Sequence, residues 1–459
     1  MEPSILERSQ HPISRRDIDA NVLKVLYRLI SADHLAYLVG GSVRDLMMER
    51  RPKDFDVATS AHPHEVRELF RNSRLIGRRF RLVHVFFGRQ NIEVATFRRR
   101  SEELAEGDDP MIHHDNTFGT PEEDAFRREF TVNTLFYDAR TFNVIDYTGG
   151  VADLQARLIR TVGEPEIRMR EDPVRMIRAV RFAAKLDFDI ERATREAIER
   201  HCGDLAKASV PRLVEEIFRT LGQSAAANAL VLMEQLGLLE VLLPILSKHL
   251  RTAGSAFGTS ATVRNLDALG RAITAGADPS HSFILACLFA DLHLSMVDKV
   301  AALAGERFDL AAELRARGFS RADTEHMRLL LEALPRLIRP TRVTRRLARR
   351  PYFEHARRLF ELLAPTYGAD IEGLRRFLAA ADAPSSPAWR HRRHAGEDGG
   401  APPPRRRRGR RSRRRRRGGP LPAGAPAGSE AAGGDASSPE PSREDPRDGS
   451  GDGRPAHPR

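Results

Sequence analysis

Two aspartates separated by one residue, Asp54-Phe55-Asp56, open a run, FDVAT, whose alternation suits a β-strand. Period-two geometry puts both carboxylates on one face and turns Phe55 toward a core. Side-by-side acids with no adjacent base repel, and a hard cation such as Mg²⁺ relieves that repulsion. Upstream, the strand-like LAYLV of 35–39 runs into Gly40-Gly41, where backbone can approach a ligand with no Cβ in the way. Ser42 is placed to cap the helix that follows, whose first N–H groups would face an anion. Alone, a glycine pair is an ordinary turn and a D-x-D an ordinary strand end. In this order they point to phosphates and divalent metal in one cleft, as two-metal displacement chemistry requires.

The elements that must position these residues fall into a small α/β head and a long helical remainder. Residues 1–34 include a helical approach, with Ile18, Val22, Val25, Leu26 and Leu29 at spacings near three and four. From 35 to 148, short β-like runs dominate (LAYLV, FDVAT, RLVHVFF, IEVATF and TLFYD), with a helix expected over 63–72 and a mobile polar loop over 100–124. Their alternation predicts a half-covered mixed or antiparallel sheet. After Thr148-Gly149-Gly150 the pattern is helical to about 380, with helices expected over 173–186, 191–202, 210–222, 225–239 and 283–303. The fold class is therefore α+β. The divisions expected are an N-terminal extension (1–34), a head (35–148), a helical neck (149–215), a helical body (216–383) and a disordered tail (384–459).

The chain has 459 residues and a formal charge of +12, nearly all of it in the 11 arginines of Arg405 to Arg417. That block, among them Arg405, Arg406, Arg407, Arg408, Arg413, Arg414 and Arg415, lies beside Pro/Gly/Ser-rich sequence and cannot bury a core. Its chemistry suits a polyanion, since each neutralised phosphate releases counterions. Cys202 and Cys287 form no CxxC pair, which suits a reducing interior without disulfide or structural zinc. With no apolar signal-peptide core and no run of 18 apolar residues, a soluble cytoplasmic protein away from membranes is expected.

The glycine–aspartate block, Gly40-Gly41-Ser42-Val43-Arg44-Asp45 followed by Asp54 and Asp56, resembles the first signature of the class II nucleotidyltransferases, the tRNA CCA-adding enzymes and bacterial poly(A) polymerases. Arg127 to Asn133, RREFTVN, resembles the family's RRDFTxN motif. Asp146-Tyr147-Thr148-Gly149-Gly150 through Asp153-Leu154 resembles its flexible neck motif, and Arg170 to Phe182 its nucleotide-selecting EDxxR helix. Leu75 to Val85, with Arg78 and Arg79, resembles the LxGRRFRLxHV block of the poly(A) branch; read alone it is a basic hairpin edge guarded against strand pairing.

The resemblance implies a template-independent adenylyl transfer from ATP to RNA 3′ ends, with Asp54 and Asp56 carrying Mg²⁺. It also implies that Arg44 and Asp45 support the phosphate loop and that Arg128 reaches the nucleotide. Glu129 stands where the family has Asp, so a carboxylate survives but is displaced by about 1 Å, enough to matter where geometry is tight. Asp172 and Arg175, three apart on an expected helix, match the amine-beside-ring-nitrogen edge shared by adenine and cytosine, so they explain A or C rather than A alone. Asp172-Pro173 also reads as a helix cap followed by an N1 proline. Glu93 is a further acid, better explained as an exposed strand position. His84 reads as strand packing, and His113-His114-Asp115 lacks the other members of a metal set. Two competing readings are a CCA-adding enzyme and an RNA-binding protein whose catalytic head has decayed. Proteins of RNA decay are expected partners and a monomer the expected state.

Overall fold

The computed structural model describes residues 2–77, 82–99, 118–252, 257–302 and 309–382. Arg78, Arg79, most of the expected polar loop and the whole arginine tail, Arg405 to Arg415 included, lie outside the described residues.

Eight strands form the head: β1 (Ser4–Leu6), β2 (Ala36–Val39), β3 (Asp56–Thr59), β4 (Ser73–Ile76), β5 (Leu82–Phe87), β6 (Gln90–Thr96), β7 (Phe136–Asp138) and β8 (Val144–Asp146). They make one mixed sheet in the order β1-β8-β7-β2-β3-β6-β5-β4. Its pairings are antiparallel except that between β3 and β6. β2 is buried along its whole length, as a central strand of AYLV should be.

One face of the sheet is covered by α1 (Ala20–Ile30), which Asp19 caps and which buries Val22, Val25, Leu26 and Leu29 as its spacing predicts. α2 (Gly41–Met47) leaves the end of β2, and α3 (Pro63–Leu69) joins β3 to β4. The other face carries Tyr37, Phe97 and Phe136 under Ala125 of α4 (Pro121–Arg127).

Three features depart from the sequence-based expectation. The N-terminal segment is not only helical: β1 extends the sheet beside β8, and His11 Nε2 hydrogen-bonds the carbonyl of Phe142 at 2.8 Å. The expected loop ends in α4, whose start is a capping box between Thr120 and Glu123 with Pro121 in the first turn. The helix expected over 225–239 is two helices, because Gly237 takes φ +73°.

Beyond the head come α5 (Gly150–Ala156), β9 (Leu158–Ile159), α6 (Pro165–Glu171), α7 (Val174–Leu186), β10 (Asp189–Ile190), α8 (Arg192–His201), α9 (Val210–Leu221), α10 (Ala226–Gln235), α11 (Leu238–Leu242) and α12 (Pro244–Thr252). The helical body continues through α13 (Ala261–Thr274), α14 (His281–Ala302), α15 (Leu310–Ala316), α16 (Arg321–Ile338), α17 (Arg342–Leu347), α18 (Phe353–Tyr367) and α19 (Ile371–Asp382). Among the described residues no helix is long and apolar enough to cross a membrane.

Candidate active site

Asp54 and Asp56 are both exposed, while Phe55 between them is half-buried against the core. Asp56 is the first residue of β3, and its antiparallel partner is Val39, the residue before Gly40. Asp56 therefore lies across from the residue that precedes the glycine turn, with Asp54 two residues upstream and just outside the strand. The parallel partner of Asp56 is Glu93. Glu93 is exposed, as expected, yet its register makes it more than a strand position: it stands beside the catalytic candidates, with Oε1 3.3 Å from His84 Nε2.

Walled by protein on one side, the Asp56 carboxyl is pushed up to about 6, first by desolvation and then by Glu93 and Asp54, with Arg128 opposing. Such uncompensated negative charge on hard oxygens fits Mg²⁺. Among the described residues no three His, Cys, Asp or Glu side chains gather closely enough to hold a metal unaided. A cation here would use Asp54 and Asp56 and complete its shell from phosphates and water, the usual habit of Mg²⁺.

The glycine turn permits close approach. Gly40 has φ +70°, and a Cβ there would lie 3.1 Å from Arg128 Nη1. Ser42 does not cap α2; its hydroxyl donates to the carbonyl of Val39 at 3.0 Å, so the first turn has no side-chain cap. Arg44 is buried, with Nε and Nη2 donating to Asp45 Oδ1 (2.8 and 2.7 Å) and Nη1 to Asn133 Oδ1 (2.6 Å). Arg44 and Asp45 thus brace the loop from beneath rather than reach into the cleft. Asn133 is the residue that sequence reasoning left without a role; its place at the end of RREFTVN was the available signal.

Arg128 is also held. Its Nε and Nη2 donate to Asp124 Oδ2 (3.1 and 2.8 Å), and Nη1 reaches the carbonyl of Asn133 at 3.4 Å. Asp124 accepts Arg127 as well; burial works to raise its carboxyl, and the two guanidiniums outweigh that and hold it below the usual range. Glu129 Oε1 accepts from Arg178 Nη2 of α7 at 2.6 Å, which ties the head motif to the neck helix. Burial again works upward on Glu129, and Arg178, Arg128 and Arg175 prevail, so its carboxyl is held down and charged.

The neck motif is a brace for this motif. Asp146 accepts backbone N–H groups from Thr148, Gly149, Gly150 and Val151. A Cβ on Gly150 would stand 2.2 Å from the carbonyl of Thr131, so only glycine fits, and Thr131 Oγ1 donates to Asp153 Oδ2 at 2.6 Å.

Asp172 and Arg175 do not share a helix as expected. Asp172 follows α6 with extended backbone, Pro173 stands just ahead of α7, and no side chain caps that start. The sharp break comes from proline's clash with helical geometry in the residue before it. Arg175 N–H nevertheless donates to the Asp172 carbonyl at 3.0 Å, which keeps the two side by side. Asp172 Oδ2 accepts from Arg212 at 2.7 Å, and its buried Oδ1 has no hydrogen-bond partner among the described residues. Arg175 commits Nη1 to Glu171 (2.9 Å) and to the carbonyl of Arg168 (2.8 Å). One carboxylate oxygen is therefore buried and unpartnered among the described residues, beside a guanidinium whose pKa is drawn down by burial.

Comparison with known proteins agrees with this geometry. Residues 36–160 match the family described as "Poly A polymerase head domain", and residues 187–250 that described as "Probable RNA and SrmB- binding site of polymerase A". The chain is 44% identical over 309 residues to the "Poly(A) polymerase I" of Salmonella typhi, covering 66% of each chain, just under two thirds of that relative's length. It is 40% identical over 220 residues to the "CCA-adding enzyme" of Bacillus velezensis, covering 48% of this chain and 54% of that one. A solved structure, the Bacillus stearothermophilus CCA-adding enzyme in complex with CTP, superposes with a TM-score of 0.58 at 29% identity, covering 78% of this chain and 81% of the other.

Proposed function

The chain belongs to the class II nucleotidyltransferase family of poly(A) polymerases and CCA-adding enzymes, and from that premise we propose that it is a poly(A) polymerase, adding AMP from ATP to RNA 3′ ends without a template. The observation that supports the reading is the register of Asp56 against Val39, which sets an exposed carboxylate opposite the residue before Gly40-Gly41, with exposed Asp54 two residues upstream. The longer match to poly(A) polymerase I than to CCA-adding enzymes supports the poly(A) branch over the CCA branch.

In this reading the RNA 3′ oxygen forms a bond to the α-phosphorus of ATP, the α–β P–O bond breaks, pyrophosphate leaves, and the hydroxyl proton passes to solvent. Mg²⁺ held by Asp54 and Asp56 would supply Lewis-acid stabilisation of the attacking and leaving oxygens. Gly40 and Gly41 admit the triphosphate. Arg44, Asp45 and Arg128 keep that turn in shape, and Glu129 fixes the neck helix through Arg178. Asp172 Oδ1 would accept the exocyclic amine of adenine while Arg175 faces the neighbouring ring nitrogen.

The division of labour we propose gives catalysis to residues 35–148, base selection to 149–215 and RNA retention to 216–383, with Arg78, Arg79 and the tail arginines adding sequence-blind grip. A cytoplasmic monomer that meets proteins of RNA decay completes the reading.

Purified protein, Mg²⁺, a generic RNA and one nucleotide at a time provide the test. A lengthening ladder with ATP alone is expected. Addition of C, C, A and a stop on tRNA ends would establish a CCA-adding enzyme instead. Binding without incorporation, cured by Glu129→Asp, would mark a decayed head.

A further inference from the structure

Between residues 333 and 353 the chain carries seven arginines (336, 339, 342, 345, 346, 349 and 350) and no acidic residue. All seven are exposed. None forms an ion pair with a described residue; Arg345 alone is engaged, lying 5.1 Å from the Phe377 ring centroid. The arginines on either side behave differently. Arg328 is closed onto Glu325 and Glu332, and Arg357 onto Glu354 and Glu361. The body therefore neutralises its cations before and after this stretch and leaves them bare within it.

Nor is the stretch loose. Leu337 and Leu347 are buried, and so is Thr344, whose hydroxyl donates to the carbonyl of Arg336 and accepts the N–H of Thr341. That clamp folds the end of α16 back onto α17. Along α17 and its following turn, Arg342, Arg345, Arg346 and Arg349 fall at spacings of three and four, on one face. Like charges at such spacings repel by a few tenths of a kcal/mol per pair in a helix, so this arrangement destabilises the free protein and calls for an anionic partner.

We infer that the corner between α16 and α17 is a phosphate track for the RNA upstream of its 3′ end. This inference rests on RNA being the substrate, and it lies beyond the matched residues 187–250. Guanidiniums spaced along a helix face suit a string of phosphates, a grip that reads backbone charge.

The test uses the full chain with Arg339, Arg342, Arg346 and Arg349 each replaced by Gln, leaving the ring-stacked Arg345 in place. Binding of single-stranded oligo(U) is followed against salt. If the four arginines cover four phosphates, the slope of log K against log salt falls by about 3, at about 0.7 per phosphate. The same four positions changed to Lys should keep the slope, since a phosphate track reads charge. A double variant, Arg342→Gln with Arg349→Gln, should lose about half as much and guards against a misfolded quadruple variant. Equal slopes in wild type and glutamine variants would overturn the inference, as would a lysine variant as weak as the glutamine one. So would loss of binding to phosphatidylserine vesicles with RNA binding intact, which would mark a membrane surface. Incorporation of ATP on the same RNA separates the two claims. An unchanged slope with an intact ATP ladder removes only the track, whereas a lost slope in a protein that never incorporates ATP removes only the polymerase reading.

Discussion

At the start of β3, Asp54 and Asp56 are exposed without an ion pair to any described residue, and Asp56 is raised first by desolvation and then by its acidic neighbours. Elsewhere in the head and along the neck, acids are closed onto arginines: Asp45 onto Arg44, Asp124 onto Arg127 and Arg128, Glu129 onto Arg178, Glu171 onto Arg168 and Arg175, and Asp172 onto Arg212. On the proposed reading, the difference separates groups kept ready for an incoming cation from groups that hold the frame. An uncompensated acid costs stability and keeps affinity for a metal, whereas a paired acid contributes order and has little charge left to offer.

Replacing Asp56 by Asn should break the contrast most sharply. Incorporation should fall by at least about a thousandfold, roughly 4 kcal/mol in the barrier, while the melting temperature at pH 7 stays level or rises. A lowered melting temperature would mean that Asp56 belongs with the frame. Asp124→Ala should do the opposite. It strands two guanidiniums and should cost about 3 kcal/mol of stability by denaturant titration, since removing one partner leaves buried charge unpaired.

Glu129→Gln should have a smaller effect, about 1–2 kcal/mol of stability and about tenfold in incorporation, because one charged hydrogen bond to a half-exposed Arg178 is weakened rather than a buried pair emptied. The smallest effect is on pH dependence. Asp56 has its folded value raised above 3.8 to about 6, so its contribution favours the metal-free fold below about pH 4 and is lost as pH rises through 6. Glu129 and Asp124 are depressed, so theirs is present above 4.5 and 3.8 and lost as pH falls through their lower folded values. Melting curves of Asp56→Asn should lose the first trend and keep the second. Mg²⁺ should be required at higher concentration at pH 5.5 than at pH 7.5, because protons compete for the same carboxylate.

Strands with clear alternation, such as LVHVFF and IEVAT, were legible in the sequence, as were the acids, the glycine turn and the helix α7. β1, β4 and β8 were not, since SIL, SRLI and VID are too short to display a period and form through partners far away in the chain. The exposed, half-buried, exposed alternation of Asp54-Phe55-Asp56 was legible because a period of two is local, although the strand itself begins only at Asp56. Glu93 was underestimated because its neighbourhood with Asp56 is a matter of parallel register, which no local pattern encodes. Asp172 was misplaced by counting through Pro173 as though the helix continued. The pairings of Asp124 and Asn133 depend on tertiary approach and leave only a motif position as a trace.

The strand Ser4–Leu6 has a temporal side. Its mate is Val144–Asp146, so this strand must wait for almost the whole head to be made before it can pair. During synthesis the border along β8 is sealed by a segment made well before it. Trimming those few residues would therefore leave finished molecules with a bare rim, inviting adhesion between neighbouring copies even though no group near Asp54 or Asp56 had been touched.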